Sequence, residues 1–558
     1  MASSESDLRA PDWFRRVVFY ELPVRSFYDS NGDGIGDLAG VTEKLDYLTD
    51  LGVGAIWLLP FYASPWKDDG YDVADHFAVD PRLGTIDDLD RLIEAAHARG
   101  LRVIGDMVAN HVSDQHPWFQ DARKSRDSKH RSWFLWSDTG KEFSEAKLIF
   151  PDYERSNWTW DETAGQFYFH RFFRSQPDLN FDTGAVRAEI LNYARFWLAH
   201  GLDGYRCDAV PYLYKRDGTV CQNLPEVHQF YRDLRSMMDR EFPGTVLVSE
   251  ANAPIGETVA YFDHGREFQM VMHFPLMPNL YLGLAERNPK RILDVLRASL
   301  PWVPSECGWA YFLRNHDELT LERMSESERE VFFQEMHLPA GARIHNGVRR
   351  RLAPLLGGDD ASTLLLTALI LALPGSPYLY YGDEIGMGDR LDLPDRDAVR
   401  TPMQWQNDPS GGFSSAPPDR LTRPLVTEPM FAPAARNVLD EENRSGSLLR
   451  RTRTLLRVRA AHAAIFGSDR FEGVDLHDLP VFGFWRTGLE YQILCLYNFA
   501  TEPAAGELEL PGSVWASPVE ILRAAHPSTV TGRTFHFRLA PRGFSWTVFL
   551  ARHPPPKA

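Results

Sequence analysis

Eight short runs of β-forming residues, several of which end in a carboxylate, most constrain how this chain can fold. They occupy residues 17–20, 55–60, 102–108, 204–210, 246–250, 270–274, 310–313 and 376–381. Stretches with helical periodicity lie between several of them, at 86–99, 185–200, 225–241 and 361–373. This alternation favours parallel βαβ units, and eight such units close into a barrel. We therefore predict an α/β fold built on a (β/α)8 TIM barrel.

Three segments depart from the barrel pattern. Residues 110–181 are polar, aromatic and irregular, which predicts a small inserted domain after strand three that overhangs the site. Residues 319–358 form a charged insertion, which we interpret as helical and lid-like. From residue 462 to 558 short alternating segments occur without helical connectors, which predicts a C-terminal all-β sandwich domain. The barrel itself is then formed by residues 1–109 and 182–461.

The charge balance excludes several partners. The chain of 558 residues has 77 acidic and 60 basic residues and a net charge of −17, so it has no basic surface for nucleic acid or anionic lipid. Its first residues contain no apolar signal segment, and no run approaches the roughly 18–20 apolar residues of a membrane span. We expect a cytoplasmic protein without a membrane partner. Its four cysteines are sparse and show no CxxC spacing, which predicts reduced thiols.

Three carboxylates near strand ends indicate the chemistry. Asp208 in GYRCDAV, Glu250 in VLVSEAN and Asp317 in YFLRNHDE belong to the fourth, fifth and seventh runs, so they should converge at one end of the barrel. Retaining cleavage of a glycosidic bond needs a proton donor and a nearby attacking carboxylate. Arg206 lies two residues before Asp208 on the same face and can keep that carboxylate ionised. Two histidines are natural partners for sugar hydroxyls: His111 and His316.

The strings DMVANH, GYRCDAV, VSEAN and FLRNHD resemble the four signature regions of the α-amylase family, glycoside hydrolase family 13, and the match covers essentially the whole chain. The resemblance implies that Asp208 is the nucleophile, Glu250 the general acid and base, and Asp317 the third acid that grips sugar hydroxyls. Three further residues are implied around the bound glucose: Tyr71 as an aromatic platform, and Asp68 with Arg400 as a pair that closes the far end of the pocket.

Longer strings, among them FYELPVRSFYDSNGDGIGDLAG, HRFFRSQPDLNFD and GVRRRLAPLL, resemble members of that family that isomerise maltose to trehalose. The resemblance implies an intramolecular α-glucosyl transferase that interconverts the two sugars by retaining double displacement in a closed site. The resemblance also implies minor hydrolysis to glucose, no organic cofactor, a homodimer or tetramer, and a maltokinase partner.

Two alternative functions stay open. One is an α-glucosidase or general transglucosylase acting on small α-glucosides such as maltose or sucrose. The other is a noncatalytic barrel resembling the heavy chains of amino-acid transporters, which the three acids disfavour.

Several positions depart from the family pattern. Ala253 and Pro254 follow Asn252 where Gln and Trp are usual, and Lys147 replaces an Arg. By resemblance Asn252 and Lys147 bind substrate on the acceptor side, so these departures bear on acceptor choice and on the ratio of isomerisation to hydrolysis. Two more departures lie behind the site: His76 for Tyr and Cys207 for Leu.

The loop DSNGDGIGD offers oxygen ligands at alternating positions, a spacing that fits calcium. The ligands would be Asp29, Asn31, Asp33, the Ile35 carbonyl and Asp37. An Asx-rich turn without metal is the alternative, and an EF-hand is disfavoured because the twelfth position is Gly40. The resemblance supports a structural calcium here.

The resemblance also implies a second calcium that would join the inserted domain to the barrel. Its ligands would be Asn110, Asp178 and the carbonyls of Tyr212 and Leu213. Lys215 stands where an acidic ligand is common. Because a second cation beside a metal is unfavourable, we predict that this site is weak or empty, with the ammonium in place of the metal.

Overall fold

A computed structural model describes residues 12–476, 479–514, 517–522 and 527–551. The amino-terminal stretch in which we sought a signal segment lies largely outside the described residues, as do parts of the predicted ranges 1–109 and 462–558.

Eight parallel strands form a closed barrel, which confirms the predicted fold. They are β1 (Phe19–Leu22), β2 (Ala55–Leu58), β3 (Arg102–Met107), β4 (Gly204–Cys207), β5 (Val246–Ser249), β6 (Met270–Met272), β7 (Gly308–Phe312) and β8 (Gly375–Tyr380). Each pairs with its neighbours in chain order, and β8 pairs with β1 to close the ring. At Gly204 a Cβ atom would lie 2.1 Å from the Val246 carbonyl, so only glycine allows β4 and β5 to approach this closely.

Helices surround the barrel, as the periodic stretches predict. The longer ones are Ile86–Ala98, Gly184–Ala199, Pro225–Glu241, Leu276–Ala285, Lys290–Ser299, Asp360–Ala372 and Leu448–Ala461. The first begins at a capping box, in which Thr85 and Asp88 satisfy each other's backbone N–H groups. Shorter α-helices span Trp13–Arg16, Val24–Phe27, Leu38–Glu43, Leu45–Leu51, Ile255–Thr258, Val438–Asn443 and Ala463–Phe466. In the described ranges no helix is both long enough and apolar enough to cross a bilayer.

The inserted domain, residues 110–181, follows β3 and contains a small antiparallel sheet. Its strands are Trp136–Ser137, Trp158–Asp161 and Gln166–Phe169, preceded by the helix Pro117–Ala122 and the 3-10 helix Arg131–Trp133. A further strand pair, Tyr62–Ala63 with Asp75–Val79, lies in the loop after β2. The remaining 3-10 helices are Val210–Tyr212, Val259–Gly265, Leu300–Trp302, Asp383–Ile385, Asp395–Val399 and Pro418–Arg420.

The lid insertion, residues 319–358, is helical only in part, which corrects the sequence interpretation. Helices span Glu326–Glu335 and Leu352–Leu355, but Leu319–Thr320, Gly347–Val348 and Arg343–Ile344 form a three-stranded antiparallel sheet. Strands of two residues leave no periodic signal in the sequence, so only the helix is visible there. We call residues 343–348 the lid hairpin.

The C-terminal domain is an all-β sandwich, as predicted. A five-stranded sheet has the order Phe471–Val474, Val481–Thr487, Tyr491–Asn498, Phe544–Leu550 and Val519–Leu522. A three-stranded sheet has the order Ala504–Glu509, Thr534–Leu539 and Thr529–Thr531. Apolar side chains of both sheets, such as Trp485 and Phe537, form one buried cluster. The four cysteines are free and buried.

Candidate active site

The carboxyl ends of β4, β5 and β7 bring the three predicted acids together. Asp208 follows β4 directly, Glu250 follows β5, and Asp317 lies in the loop after β7. All three line one cavity above the barrel. This is the end at which barrel enzymes of this architecture carry their active sites.

Arg206 of β4 contacts two of these acids with one guanidinium group. Its Nη1 donates to Asp208 Oδ1 at 2.8 Å, and its Nη2 lies 2.6 Å from Glu250 Oε1. The side chain is fully buried, and Nη1 also donates to Asp106 Oδ1 at 2.7 Å. Two carboxyl groups that share one guanidinium lie close together, as a retaining mechanism requires, where their separation is about 5 Å.

Burial controls the protonation of this cluster. It raises the pKa of Asp208 well above the ordinary value, Arg206 opposes the shift, and repulsion from neighbouring carboxylates adds to it. Burial also raises the pKa of Asp106 to about 6. Because one guanidinium cannot neutralise several carboxylates, their mutual repulsion makes Asp208 and Asp106 harder to ionise.

Asp317 has the opposite character. Burial alone would raise its pKa, but His316 and two arginines hold the pKa of Asp317 well below the usual range. Arg396 Nη1 and Arg400 Nη2 donate to its Oδ1 at 2.9 and 3.0 Å, and His316 Nε2 lies 3.2 Å from its Oδ2. Asp317 is therefore a fixed anion, which suits a residue that accepts hydrogen bonds from sugar hydroxyls.

Tyr71 and the two predicted histidines form a single packed unit. The Tyr71 ring stacks on His316 with centroids 5.1 Å apart and planes inclined by 8°. Its hydroxyl donates to Asp106 Oδ2 at 2.8 Å, and His111 Nε2 lies 3.2 Å from its carbonyl. Burial lowers the pKa of His111 to about 4, so that imidazole is neutral at pH 7. His316 Nδ1 lies 2.6 Å from Oε1 of Glu21, a β1 residue that is not among the predicted site residues.

Asp68 and Arg400, which the resemblance places together at the far end of the pocket, bond to other partners and not to each other. Asp68 accepts hydrogen bonds from Arg396 at 2.6 Å and from Gln176 at 2.9 Å. Arg400 donates to Asp317 and to the His316 carbonyl. Both arginines lie at the 3-10 helix Asp395–Val399, and Arg396 also packs its guanidinium over Phe150, 4.7 Å from the ring centroid. Arg396 is therefore the residue that joins the inserted domain to the catalytic acids.

The inserted domain and the lid insertion both contribute walls of the catalytic cavity. Ile149, Phe150 and Phe172 come from the inserted domain, and Glu322, His345 and Asn346 from the lid insertion. Asn252 also lines the cavity and ties it to the lid, since its Nδ2 donates to Glu322 Oε2 at 3.1 Å. Arg323 donates back to Asn252 Oδ1 at 3.1 Å. The site is thus roofed by two segments that come from different parts of the chain.

The other positions on the expected acceptor side lie away from the cavity. Lys147 and Pro254 are exposed, Ala253 is buried, and none of the three lines the cavity. The structure therefore does not bring Lys147 to the predicted substrate site. His76 and Cys207 are fully buried, His76 against the Trp118 ring and Cys207 against Met107.

The predicted calcium loop is ordered by its own backbone. Asp29 accepts from the N–H groups of Gly32 and Gly34, both at 2.8 Å, and Asp33 accepts from Ile35 at 2.8 Å. Asp37 accepts from Gly40 at 2.6 Å. These are Asx-turn contacts, and each carboxylate keeps further acceptor capacity for a cation. Among the described residues no three His, Cys, Asp or Glu side chains converge on a metal position, so calcium here would depend on Asn31 and the Ile35 carbonyl as well.

The second predicted calcium position contains an ammonium group. Lys215 Nζ lies 2.6 Å from Asp178 Oδ2 and donates to Asn110 Oδ1 at 3.1 Å. Both Lys215 and Asp178 are buried. This donor set does not fit a divalent cation, because Lys215 already supplies the positive charge.

A (β/α)8 barrel with paired carboxylates on one guanidinium and a stacked aromatic platform defines an enzyme that cleaves glycosidic bonds with retention. Residues 22–467 match the catalytic domain described as Alpha amylase, catalytic domain, so the chain belongs to the α-amylase family.

Three known proteins illustrate the similarity. The Trehalose synthase/amylase TreS of Mycolicibacterium smegmatis is 45% identical over 98% of this chain and 94% of its own length. The Trehalose synthase of Pimelobacter sp. is 43% identical over 96% of both chains. Among solved structures, the trehalulose synthase MutB of Pseudomonas mesoacidophila MX-45 superimposes with a TM-score of 0.78 and 26% identity over 97% of this chain and 99% of that one.

Proposed function

We propose that this chain is a maltose α-glucosyltransferase that interconverts maltose and trehalose within one closed site. The similarity to two proteins named trehalose synthase over nearly the full length supports this reaction. The observation that carries it is the roof over the acids, in which Asn252 of the β5 loop is bonded to Glu322 and Arg323 of the lid insertion. An isomerase must keep the departing glucose and exclude water, and such a roof does both.

The first half of the reaction breaks the glycosidic bond. Glu250 protonates the glycosidic oxygen while Asp208 attacks the anomeric carbon, which forms a β-glucosyl ester and releases glucose into the cavity. Arg206 orients both carboxyl groups, and Asp317 with the neutral His111 binds the hydroxyls of the transferred sugar. Tyr71 provides the apolar face beneath it.

The second half transfers the glucosyl group back. The released glucose turns, and Glu250 accepts the proton of its anomeric hydroxyl as that oxygen attacks the anomeric carbon of the glucosyl ester and the bond from that carbon to Asp208 breaks. The product is trehalose, and Asp208 is regenerated. When water attacks in place of glucose the result is hydrolysis, which makes glucose the expected minor product.

Product analysis on maltose tests the proposal. Wild-type protein should convert maltose mainly into trehalose, and trehalose into maltose, with free glucose as the lesser product. The α-glucosidase or transglucosylase alternative predicts mainly glucose or longer oligosaccharides, including from sucrose. Asp208→Asn serves as the inactive control, because this variant lacks the attacking carboxylate.

Calcium at the loop of residues 29–37 is part of the proposal. Asp29, Asn31, Asp33, Asp37 and the Ile35 carbonyl would hold it, and it would stiffen the loop without entering the chemistry. Metal analysis after dialysis should find one calcium per chain, and two tightly bound ions would contradict the ammonium at Lys215. Asp33→Ala should remove that calcium.

A cytoplasmic location, a homodimer or tetramer and a maltokinase partner also stay predictions. Light scattering after gel filtration tests the oligomeric state, and co-purification with a maltokinase tests the partner.

A further inference from the structure

His345 occupies the tip of the lid hairpin at the edge of the catalytic cavity. Its side chain is only 2% exposed, although Arg343 and Asn346 of the same hairpin are exposed. The residue lines the cavity together with its neighbour Asn346. A buried ring between exposed neighbours means that another part of the chain covers it.

The covering segment belongs to the inserted domain. The His345 backbone N–H donates to Asp152 Oδ2 at 2.6 Å, and its Nδ1 lies 3.4 Å from the same oxygen. The imidazole packs against Phe150 and Tyr153, with centroids 4.7 and 5.6 Å away. This contact joins residues 193 apart in the sequence.

A third segment meets the same ring. His345 Nε2 lies 3.8 Å from Asp395 Oδ1, and the next residue, Arg396, binds both Asp68 and Asp317. The lid hairpin, the inserted domain and the loop that carries Arg396 therefore meet at one imidazole. Movement of His345 would loosen the roof on three sides at once.

The backbone at this junction is strained. His345 has φ +49° and Asp395 has φ +44°, both in the left-handed region that costs about 1 kcal/mol or more for residues other than glycine. Such conformations persist where surrounding contacts hold them. The packed ring and the Asp152 bond are the contacts available to hold His345.

The junction depends on packing rather than on an ion pair. Burial and the nearby Arg396 lower the pKa of His345 to about 4, against the opposing effect of Asp395, Asp152 and Asp317. The imidazole is therefore neutral at pH 7. The acids that face it are partnered elsewhere or partly exposed, so the aromatic contacts and the backbone hydrogen bond carry the attachment.

We propose that His345 is a positioning residue that fastens the lid hairpin to the inserted domain and thereby sets how often the glucosyl enzyme is captured by the retained glucose rather than by water. The inference rests on the proposed interconversion of maltose and trehalose. It assigns the partition between isomerisation and hydrolysis to a contact that includes none of the altered positions Ala253, Pro254 and Lys147.

The test removes the ring and keeps the backbone. His345→Asn suits this purpose because Asn tolerates the left-handed conformation and keeps the N–H that bonds Asp152. His337→Asn is the matched control, since His337 lies in the same insertion at φ +46° and does not line the catalytic cavity. His345→Phe restores an aromatic ring at the position and serves as the rescue.

Two quantities are measured on maltose. The first is the ratio of free glucose to trehalose, and the second is the incorporation of added isotope-labelled glucose into trehalose. His345→Asn should raise both by about fivefold or more, because an opened roof admits water and lets glucose escape. His337→Asn should leave both unchanged, and His345→Phe should recover much of the wild-type partition. Both quantities are ratios per turnover, so a smaller folded fraction does not change them.

Asp152→Ala approaches the same contact from the inserted domain and should move both ratios in the same direction if His345→Asn does not fold. If wild-type protein forms trehalose and His345→Asn leaves both ratios unchanged, the inference is overturned. If only Asp152→Ala folds, unchanged ratios in that variant overturn it. If wild-type protein forms no trehalose, the proposed function itself fails. The reaction of wild-type protein with maltose therefore distinguishes failure of the proposed function from failure of the inference about His345.

Discussion

The ammonium of Lys215 lies 2.6 Å from the carboxylate of Asp178, inside the ligand set at which relatives of this chain were expected to hold a calcium. The Lys215 side chain is 2% exposed and that of Asp178 is fully buried. The covalently attached cation thus joins the inserted domain to the loop after β4 without a metal. Stability at this junction should not depend on calcium concentration.

Lys215→Ala should destabilise the protein strongly. The substitution leaves Asp178 buried without its counter-charge, and breaking one side of such a pair costs about 3–5 kcal/mol. Lys67→Ala is the matched control, because the Lys67 side chain is 43% exposed in its pair with Asp114 and should contribute at most about 1 kcal/mol. Thermal unfolding compares the two variants. Equal shifts in the midpoint would show that the buried pair has no special role.

Asp208→Asn should reduce turnover of maltose by several orders of magnitude, since an amide cannot form the ester on which the double displacement depends. Asp203→Asn is the matched control. Asp203 immediately precedes β4, at the opposite end of that strand, where it pairs with Arg102 and His97. The Asp203→Asn variant should keep most of the wild-type activity even if its stability falls. Near-normal maltose conversion by Asp208→Asn would remove Asp208 from the mechanism.

The sequence specifies the barrel and the catalytic acids because their information is local. Each β-forming run ends beside its own motif, so the position of Asp208 or Glu250 follows once the strand is recognised. The roof could not be predicted in the same way. Arg396 reaches Asp68 across 328 residues and His345 reaches Asp152 across 193, and such contacts depend on loop paths that no local pattern encodes.

The partner of Asp68 illustrates this point. Arg396 lies in the 3-10 helix Asp395–Val399 and Arg400 is the residue that ends it, so the two arginines are only four positions apart. The packing of Arg396 on Phe150 decides which one does. The exposure of Lys147 could not be predicted either, because this residue lies in a stretch without regular secondary structure.

Stability should fall as the pH is lowered from 6.5 towards 4. Burial lowers the pKa of His76 to about 4 and that of His273 to about 3, below the roughly 6.5 of an unfolded histidine. The unfolded chain therefore binds protons that the native state does not, and each such histidine removes about 1.4 kcal/mol per pH unit over this range. Burial is the main cause of the lowered pKa at His273, and its Nδ1 also accepts the Leu276 N–H at 3.2 Å, which favours the neutral ring.

Thermal midpoints between pH 7.5 and 5 test this dependence. His273→Gln should lower stability at every pH but give a shallower decline on acidification, because one of the groups that must stay neutral is gone. A decline as steep as that of the wild type would assign the acid sensitivity to other groups.

Arg396→Ala should impair catalysis. The variant loses hydrogen bonds to Asp68 and Asp317, and bonds between charged groups are worth about 1.5–3 kcal/mol, or roughly 10- to 150-fold in kcat/KM. Arg400 and His316 still contact Asp317, so its carboxylate should stay ionised and the kcat/KM profile should keep its dependence on pH. Arg390→Ala, in the same loop and paired with Asp392, is the matched control and should keep near wild-type kcat/KM. Equal kcat/KM in the two variants would remove Arg396 from the site.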